Sequence, residues 1–338
     1  MPDLRDVPLT VVGGFLGAGK TTLLNALLVQ AEGRRIAVLV NDFGDLQIDA
    51  ALIAQRSATT IGLRNGCVCC SLAGGLINAL AEVLVLDPRP DHVVVEASGV
   101  SDPRRIAQVA RVGAGFSPAA TIVVVAADQI EALAEDRYVG DTVIAQLAAA
   151  DLLILNKTDL VDEGRKQQVR KWLITRAPRA TLIEALHADV SIEIVLGPML
   201  LLVKQEHRAG PRARTTSPQL LRSDLPRRRS LRGAQEMDHT TRFATRTFLS
   251  ATPIGETKLY EVLDQLPRGV LRLKGFVRLD SNPQRLRLVQ GVGTRWTICD
   301  AGSNVEQQGC ALVMIGTKEL LADEDFSSIR ELFNSPLS

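Results

Sequence analysis

The chain has 338 residues, 46% hydrophobic and 23% charged, which excludes a wholly disordered polypeptide and leaves room for one large domain plus a smaller one. Thirty-nine basic against 38 acidic residues leave a formal charge of +1, so no global field draws the chain to nucleic acid or to an anionic membrane, and neither partner is expected. The N-terminus has no apolar signal-peptide core. The longest apolar stretch, 192–203, is too short for a bilayer and contains Glu193 and Pro198, so a cytoplasmic location is expected.

In chain order, short β-branched runs at 9–12, 36–40, 92–95, 121–125 and 152–155 are continuously apolar or nearly so. Separated by helix-length segments, they predict strands buried on both faces of a mostly parallel sheet, an α/β three-layer domain over 1–203. A helix is legible over 20–30, where Leu23, Leu24, Leu27 and Leu28 form a stripe. Residues 204–242, rich in Arg, Pro and Ser, read as a linker or mobile loop. Over 243–338, strands are expected at 243–250, 270–279, 284–290, 294–299 and 311–315, and helices at 257–266 and 327–333. That pattern predicts a smaller α+β domain on an antiparallel sheet.

The first run leads into Gly14-Phe15-Leu16-Gly17-Ala18-Gly19-Lys20-Thr21, a full match to G-x-x-x-x-G-K-S/T between a strand and a helix. Such a loop curls its N–H groups toward phosphate oxygens and adds the dipole of the following helix. Gly14, Gly17, Ala18, Gly19 and Thr22 belong to this cradle. Lys20 is expected to reach the β and γ phosphates and Thr21 to offer its hydroxyl to Mg²⁺. Asn41-Asp42-Phe43-Gly44-Asp45 follows the second run. Asp42 or Asp45 would orient the attacking water or join a metal, with an Asx turn as the alternative.

Three of the five cysteines, Cys67, Cys69 and Cys70, fall within four positions beside Gly66. In a reducing compartment this reads as metal binding. Soft thiolates favour Zn²⁺, Cu⁺ or Co²⁺ over Mg²⁺, and three of them leave a fourth position open. A thiol redox pair or packing cysteines are the alternatives. Cys299 and Cys310 stand alone and read as core residues, and His187, His207 and His239 as isolated surface or structural histidines.

Glu96 ends the third run before Ala97-Ser98-Gly99, the layout of a second Mg²⁺ motif. Glu96 would hold Mg²⁺ through water, and Gly99 would lend its N–H to the γ-phosphate, as a switch. Asn156-Lys157-Thr158-Asp159 follows the fifth run. The Asp159 carboxylate can accept from the N1 and N2 protons of guanine, which adenine lacks, so GTP and GDP are the expected nucleotides. No arginine finger is legible, and turnover without one is on the order of 10⁻³ to 10⁻² per second.

Together, GGFLGAGKTTLLN, NDFGDLQID, NGCVCCSL, EASGVSDP and NKTDL, with LRLKGFVRL near the C-terminus, resemble the CobW family of P-loop GTPases, relatives of the nickel-insertion GTPases serving urease and hydrogenase. The resemblance spans nearly the whole chain. It implies a SIMIBI-type α/β domain and a GTP-hydrolysing metal chaperone or insertase that passes a transition metal to a client protein. By the same carry-over, Lys20 and Thr21 take the phosphate and Mg²⁺ roles, Asn156 and Asp159 the base, and the three cysteines the metal. A homodimer is left open. Regulation by a GTPase with a structural zinc or a thiol redox switch is the alternative. Many members carry a histidine-rich stretch before the second domain, whereas residues 204–242 hold His207 and His239 among arginines.

Overall fold

The computed structural model describes residues 6–31, 34–40, 60–62, 72–112, 115–198, 243–267, 269–301, 309–317 and 326–334. The first half builds a parallel sheet of β1 (Val7–Gly13), β2 (Ile36–Val40), β3 (Thr60–Gly62), β4 (His92–Glu96), β5 (Phe116–Ala126), β6 (Leu152–Asn156) and β7 (Thr181–Glu184). Its seven strands lie in the order β3-β2-β4-β1-β5-β6-β7. Every pairing is parallel, so all strand ends reach one edge. β2, β4 and β6 are buried at every position, which is why they read as unbroken apolar runs.

Side chains alternate between two layers, as a period of two requires. Val12, Val94, Ile122 and Ile154 face helix α1 (Lys20–Val29). Val11, Val93 and Val95 face α2 (Leu72–Leu84) and α3 (Pro103–Val112) on the other side. Val123, Val125, Leu153 and Leu155 continue that second layer against α4 (Ile130–Glu135), α5 (Gly140–Ala149) and α6 (Glu163–Arg176). In α1, Leu23, Leu24 and Leu27 are almost fully buried, each worth roughly 1.5–3 kcal/mol.

Strands β3 and β7 were not among the expected runs. β3 spans three residues, and β7 is a four-residue edge strand with one buried position, so neither leaves a pattern. β5 begins at Phe116 because its first residues pair with Val7 to Leu9, across a register shift at Leu9/Thr10.

The second half forms an antiparallel sheet of β8 (Phe243–Ser250), β9 (Val270–Leu279), β10 (Asn282–Val292), β11 (Arg295–Asp300) and β12 (Cys310–Thr317), ordered β11-β10-β9-β12-β8. Helices α8 (Glu256–Asp264) and α9 (Ser327–Asn334) cover one face around Phe248, Leu259, Phe326 and Phe333. Leu271, Val292 and Ile315 join the core of the parallel sheet beside α7 (Ile192–Leu196), so the two sheets share apolar burial. Arg272 crosses this seam and donates to the carbonyls of Ile194 and Val195. Arg295 Nη2 lies 2.7 Å from Asp151 Oδ2, which also accepts from the Thr121 N–H at 2.6 Å. Burial pushes Arg272 down to about 9, with Asp151 pulling the other way, so the guanidinium stays charged at neutral pH.

Candidate nucleotide site

β1, β4 and β6 end in Gly13, Glu96 and Asn156 on one edge of the sheet, at the switch point where open α/β sheets bind ligands. The glycine loop fills the turn from β1 to α1. Gly19 is the N-cap residue, at φ 107, with no side-chain cap. The first N–H groups of α1 therefore face the loop without a side-chain acceptor at the cap position, as anion binding needs. A Cβ at Gly19 would lie 2.4 Å from Asn156 Nδ2, so any larger residue forces the loop off the base motif. The Lys20 ammonium is buried under the loop, donating to the Gly14 carbonyl at 2.9 Å and the Phe15 carbonyl at 3.2 Å. Thr21 is half-buried and Thr22 exposed.

Asn156 fastens two loops. Its Nδ2 donates to the Ala18 carbonyl at 2.9 Å, and its Oδ1 accepts from the Ala188 N–H at 2.7 Å. Lys157 holds a left-handed backbone, φ 58, and turns the chain into the 3-10 turn Thr158–Leu160, which leaves Asp159 exposed. Thr158 Oγ1 donates to Ala185 at 3.2 Å. The Ala188 loop, with left-handed His187 and Ala188, is thereby drawn to the base motif.

Glu96 and Ser98 are buried beside the glycine loop, and a Cβ on Gly99 would meet Leu16 Cδ2 at 2.5 Å. The Gly99 turn is held from α5. Gln146, 2% exposed, donates from Nε2 to the Gly99 and Ser101 carbonyls, each at 3.0 Å. Ser101 Oγ closes the turn on the Ser98 carbonyl at 2.9 Å.

A family model described as CobW/HypB/UreG, nucleotide-binding domain, matches residues 8–184, and one described as cobalamin synthesis protein cobW C-terminal domain matches residues 243–336. The chain belongs to the CobW/HypB/UreG family. It is a P-loop GTPase. The zinc chaperone CobW of a Sinorhizobium species is 33% identical over 96% of this chain and 95% of its own. The zinc chaperone YjiA of Escherichia coli K12 is 30% identical over 86% of this chain and 87% of its own. A crystal structure of Zn(II)-bound E. coli YjiA GTPase aligns over 97% of this chain and 99% of its own, at 21% identity and a TM-score of 0.44.

Within this CobW-family chain, the structure brings together Gly14, Gly17, Ala18, Gly19, Lys20, Thr21, Glu96, Gly99 and Asn156 at one edge. Asp42, Asp45, Cys67, Cys69 and Cys70 lie outside the described residues, and so does the 204–242 segment. Among the described residues, no group of three or more His, Cys, Asp or Glu is placed to hold a metal ion. Cys310 is buried, accepting from the Arg278 N–H at 3.2 Å and donating to Thr252 O at 3.4 Å, whereas Cys299 is half-buried. Burial pushes both thiols up, which suits packing rather than metal ligation. His187 is exposed. Among the described residues, no helix is long and apolar enough to cross a membrane.

Gln146 and the Ala188 loop are the residues sequence reading missed. Gln146 lies inside an ordinary amphipathic helix, and a glutamine at a buried position is the one signal that marked it. The Ala188 loop leaves a weaker trace, a His-Ala pair after a short strand.

Proposed function

We propose that the chain is a GTP-hydrolysing metal chaperone that couples its nucleotide cycle to transfer of a transition metal, zinc first and cobalt second, to a metal-requiring client protein. The observation that carries this reading is the bond from Asn156 to Ala18, which makes one rigid unit of the phosphate loop and the base motif. The two relatives named as zinc chaperones support the cargo. The string Cys67-Val68-Cys69-Cys70 supplies three soft ligands for it.

The donor set fits the nucleotide and its ion. The glycine loop has no room for side chains at Gly14, where a Cβ would sit 2.2 Å from the Val124 carbonyl, so backbone N–H groups are the donors there. The Lys20 ammonium would exchange the Gly14 and Phe15 carbonyls for the β and γ phosphate oxygens. Thr21 and Glu96, the latter through water, would hold Mg²⁺. When bound, that ion would supply positive charge to neutralise the phosphate oxygens. Asp159 reads the guanine edge and Asn156 positions the loop. Gly99 directs its N–H at the γ-phosphate, and Asp42 or Asp45 orients the attacking water or completes the metal site. With no arginine finger legible in the sequence, slow hydrolysis is expected, on the order of 10⁻³ to 10⁻² per second. Residues 1–203 act as the GTPase unit, 204–242 as the linker and 243–338 as the client-facing unit.

The test is metal affinity, measured by chelator competition on the full chain with a non-hydrolysable GTP analogue and then with GDP. Linkage is reciprocal, and the expected tenfold tighter Zn²⁺ binding in the GTP state is about 1.4 kcal/mol of coupling. Equal affinities in the two states overturn the transfer mechanism. The variant carrying Cys67→Ser, Cys69→Ser and Cys70→Ser is expected to keep GTP binding and lose every metal response of hydrolysis.

A further inference from the structure

Residues 185–196 run from the end of β7 past the base motif into α7, and side chains from three other parts of the chain hold them. Asn156 Oδ1 accepts from the Ala188 N–H at 2.7 Å. Gln30, the C-cap residue of α1, brackets the next turn. It donates from Nε2 to the Val190 carbonyl at 3.1 Å and accepts at Oε1 from the Ile192 N–H at 2.9 Å. Arg272 of β9 donates to the Ile194 and Val195 carbonyls. In a helix of five residues those carbonyls have no partner within the helix, so the guanidinium satisfies them.

The first two holds close a ring. The phosphate loop enters α1 at Gly19, α1 ends at Gln30, Gln30 grips residues 190 and 192, Ala188 is bonded to Asn156, and Asn156 returns to the loop at Ala18. The third joins this ring to the second domain. Ile192, Ile194, Val195 and Leu196 are buried in one cluster with Leu271, Val292 and Ile315 of the antiparallel sheet, so a shift of that sheet is felt by the segment.

The backbone shows why the segment needs holding. His187 and Ala188 are both left-handed, at φ 50 and 55, and Ala188 is bonded to the residue before Lys157, itself at φ 58. Residues with a Cβ occupy that region at a cost. They persist there where the surroundings over-determine them, and such positions cluster at functional sites. Ala188 is fully buried, and a Cβ on Gly19 would lie 4.0 Å from its methyl. The left-handed pair thus sits against the phosphate loop, held by Asn156 on one side and by Gln30 and Arg272 on the other.

We propose that Gln30 and Arg272 are positioning residues for the guanine side of the nucleotide site. Through residues 188–195 they keep Ala188 on Asn156, Gln30 from the phosphate-loop helix and Arg272 from the second domain. Both act through Asn156. Releasing either lets the left-handed pair relax and loosens the base motif, which weakens nucleotide binding and leaves the groups that act on the γ-phosphate in place. The inference rests on the base reading of Asn156 and Asp159, and not on the metal cargo.

The experiment measures GDP affinity by fluorescent-nucleotide titration, KM and kcat for GTP, and inhibition by inorganic tripolyphosphate, which offers the phosphate loop its ligand without a base. Full-length Gln30→Leu, Arg272→Met, Arg272→Lys and Asp159→Asn are compared with wild type. Gln30→Leu is expected to weaken GDP and raise KM about fivefold and Arg272→Met about tenfold, with kcat and tripolyphosphate inhibition within about twofold, the pattern of lost uniform binding. Arg272→Lys keeps a donor but not the fork, and is expected to lose about threefold. A loss for tripolyphosphate as large as that for GDP makes the two residues structural only and overturns the proposal. Wild-type GDP affinity in Gln30→Leu or Arg272→Met, with Asp159→Asn impaired, overturns the role of that residue. If Asp159→Asn keeps its GTP preference as well, the base reading falls with it. If Arg272→Met does not fold, Arg272→Lys takes its place, and wild-type GDP affinity there overturns the second domain's part.

Discussion

The side-chain amide of Asn156 donates to the backbone carbonyl of Ala18 at 2.9 Å, joining the end of β6 to the phosphate loop across 138 positions of sequence. Because the same amide accepts from Ala188, replacing it leaves a buried carbonyl and a buried N–H unmatched. Each orphaned group costs about 1–3 kcal/mol. Asn156→Ala is therefore expected to lower GTP and GDP affinity together, by at least tenfold, and to lower the melting temperature of the nucleotide-free chain. Asn156→Asp keeps the Ala188 acceptor but cannot donate to Ala18, so its loss should be of similar size. Fluorescent-nucleotide titration checks both, and wild-type affinity in either variant refutes the fastening role.

Specificity for the base is expected to rest on Asp159. A carboxylate accepts two hydrogen bonds from guanine, whereas the amide of Asp159→Asn sets a donor against the N2 amino group. Xanthine carries a carbonyl at that position and restores complementarity. Asp159→Asn is thus expected to weaken GTP by at least a hundredfold and to gain XTP binding, within the discrimination of about 10⁴ available to polar sites. Competition between GTP and XTP reads the result. A variant that keeps the GTP preference assigns the base to other residues.

Gln146 acts through the Gly99 turn rather than on the nucleotide. Gln146→Leu has a similar volume but releases the Gly99 and Ser101 carbonyls. If the turn senses the γ-phosphate, GDP affinity should stay within threefold of wild type while kcat for GTP falls about tenfold, or about 1.4 kcal/mol. Single-turnover hydrolysis separates the two effects. A matched fall in GDP and GTP binding points to a structural role alone.

The local parts of this molecule were legible because each carries its own pattern. The glycine loop, the leucine stripe of α1, the fully buried strands β2, β4 and β6, and the alternating strands β8 and β9 follow from neighbours in sequence. Pairings that define the site do not. Gln146 meets Gly99 across 47 positions and Asn156 meets Ala188 across 32, and nothing in either local string fixes the partner. The interdomain seam was equally hidden. An arginine within an apolar strand reads as a surface residue until Arg272 is seen capping the carbonyls of α7, where its charge bridges two domains.

His92 makes the seam sensitive to acid. Burial, reinforced by Lys274, Arg272 and Arg34, holds it well below its ordinary 6.5 in the folded chain, while the unfolded chain titrates it normally. Below about pH 6.5 the unfolded state therefore binds a proton that the folded state refuses. This contribution to stability is intact above that pH and declines as pH falls toward the folded value, by up to about 1.4 kcal/mol per pH unit. Urea unfolding of the GDP-loaded chain at pH 7.5 and 5.5 is expected to show this loss. His92→Gln retains a polar partner for Thr10 and cannot titrate, so its loss over the same interval should be smaller by about 1 kcal/mol or more. Equal losses in wild type and variant would assign the acid sensitivity of the fold to carboxylates instead.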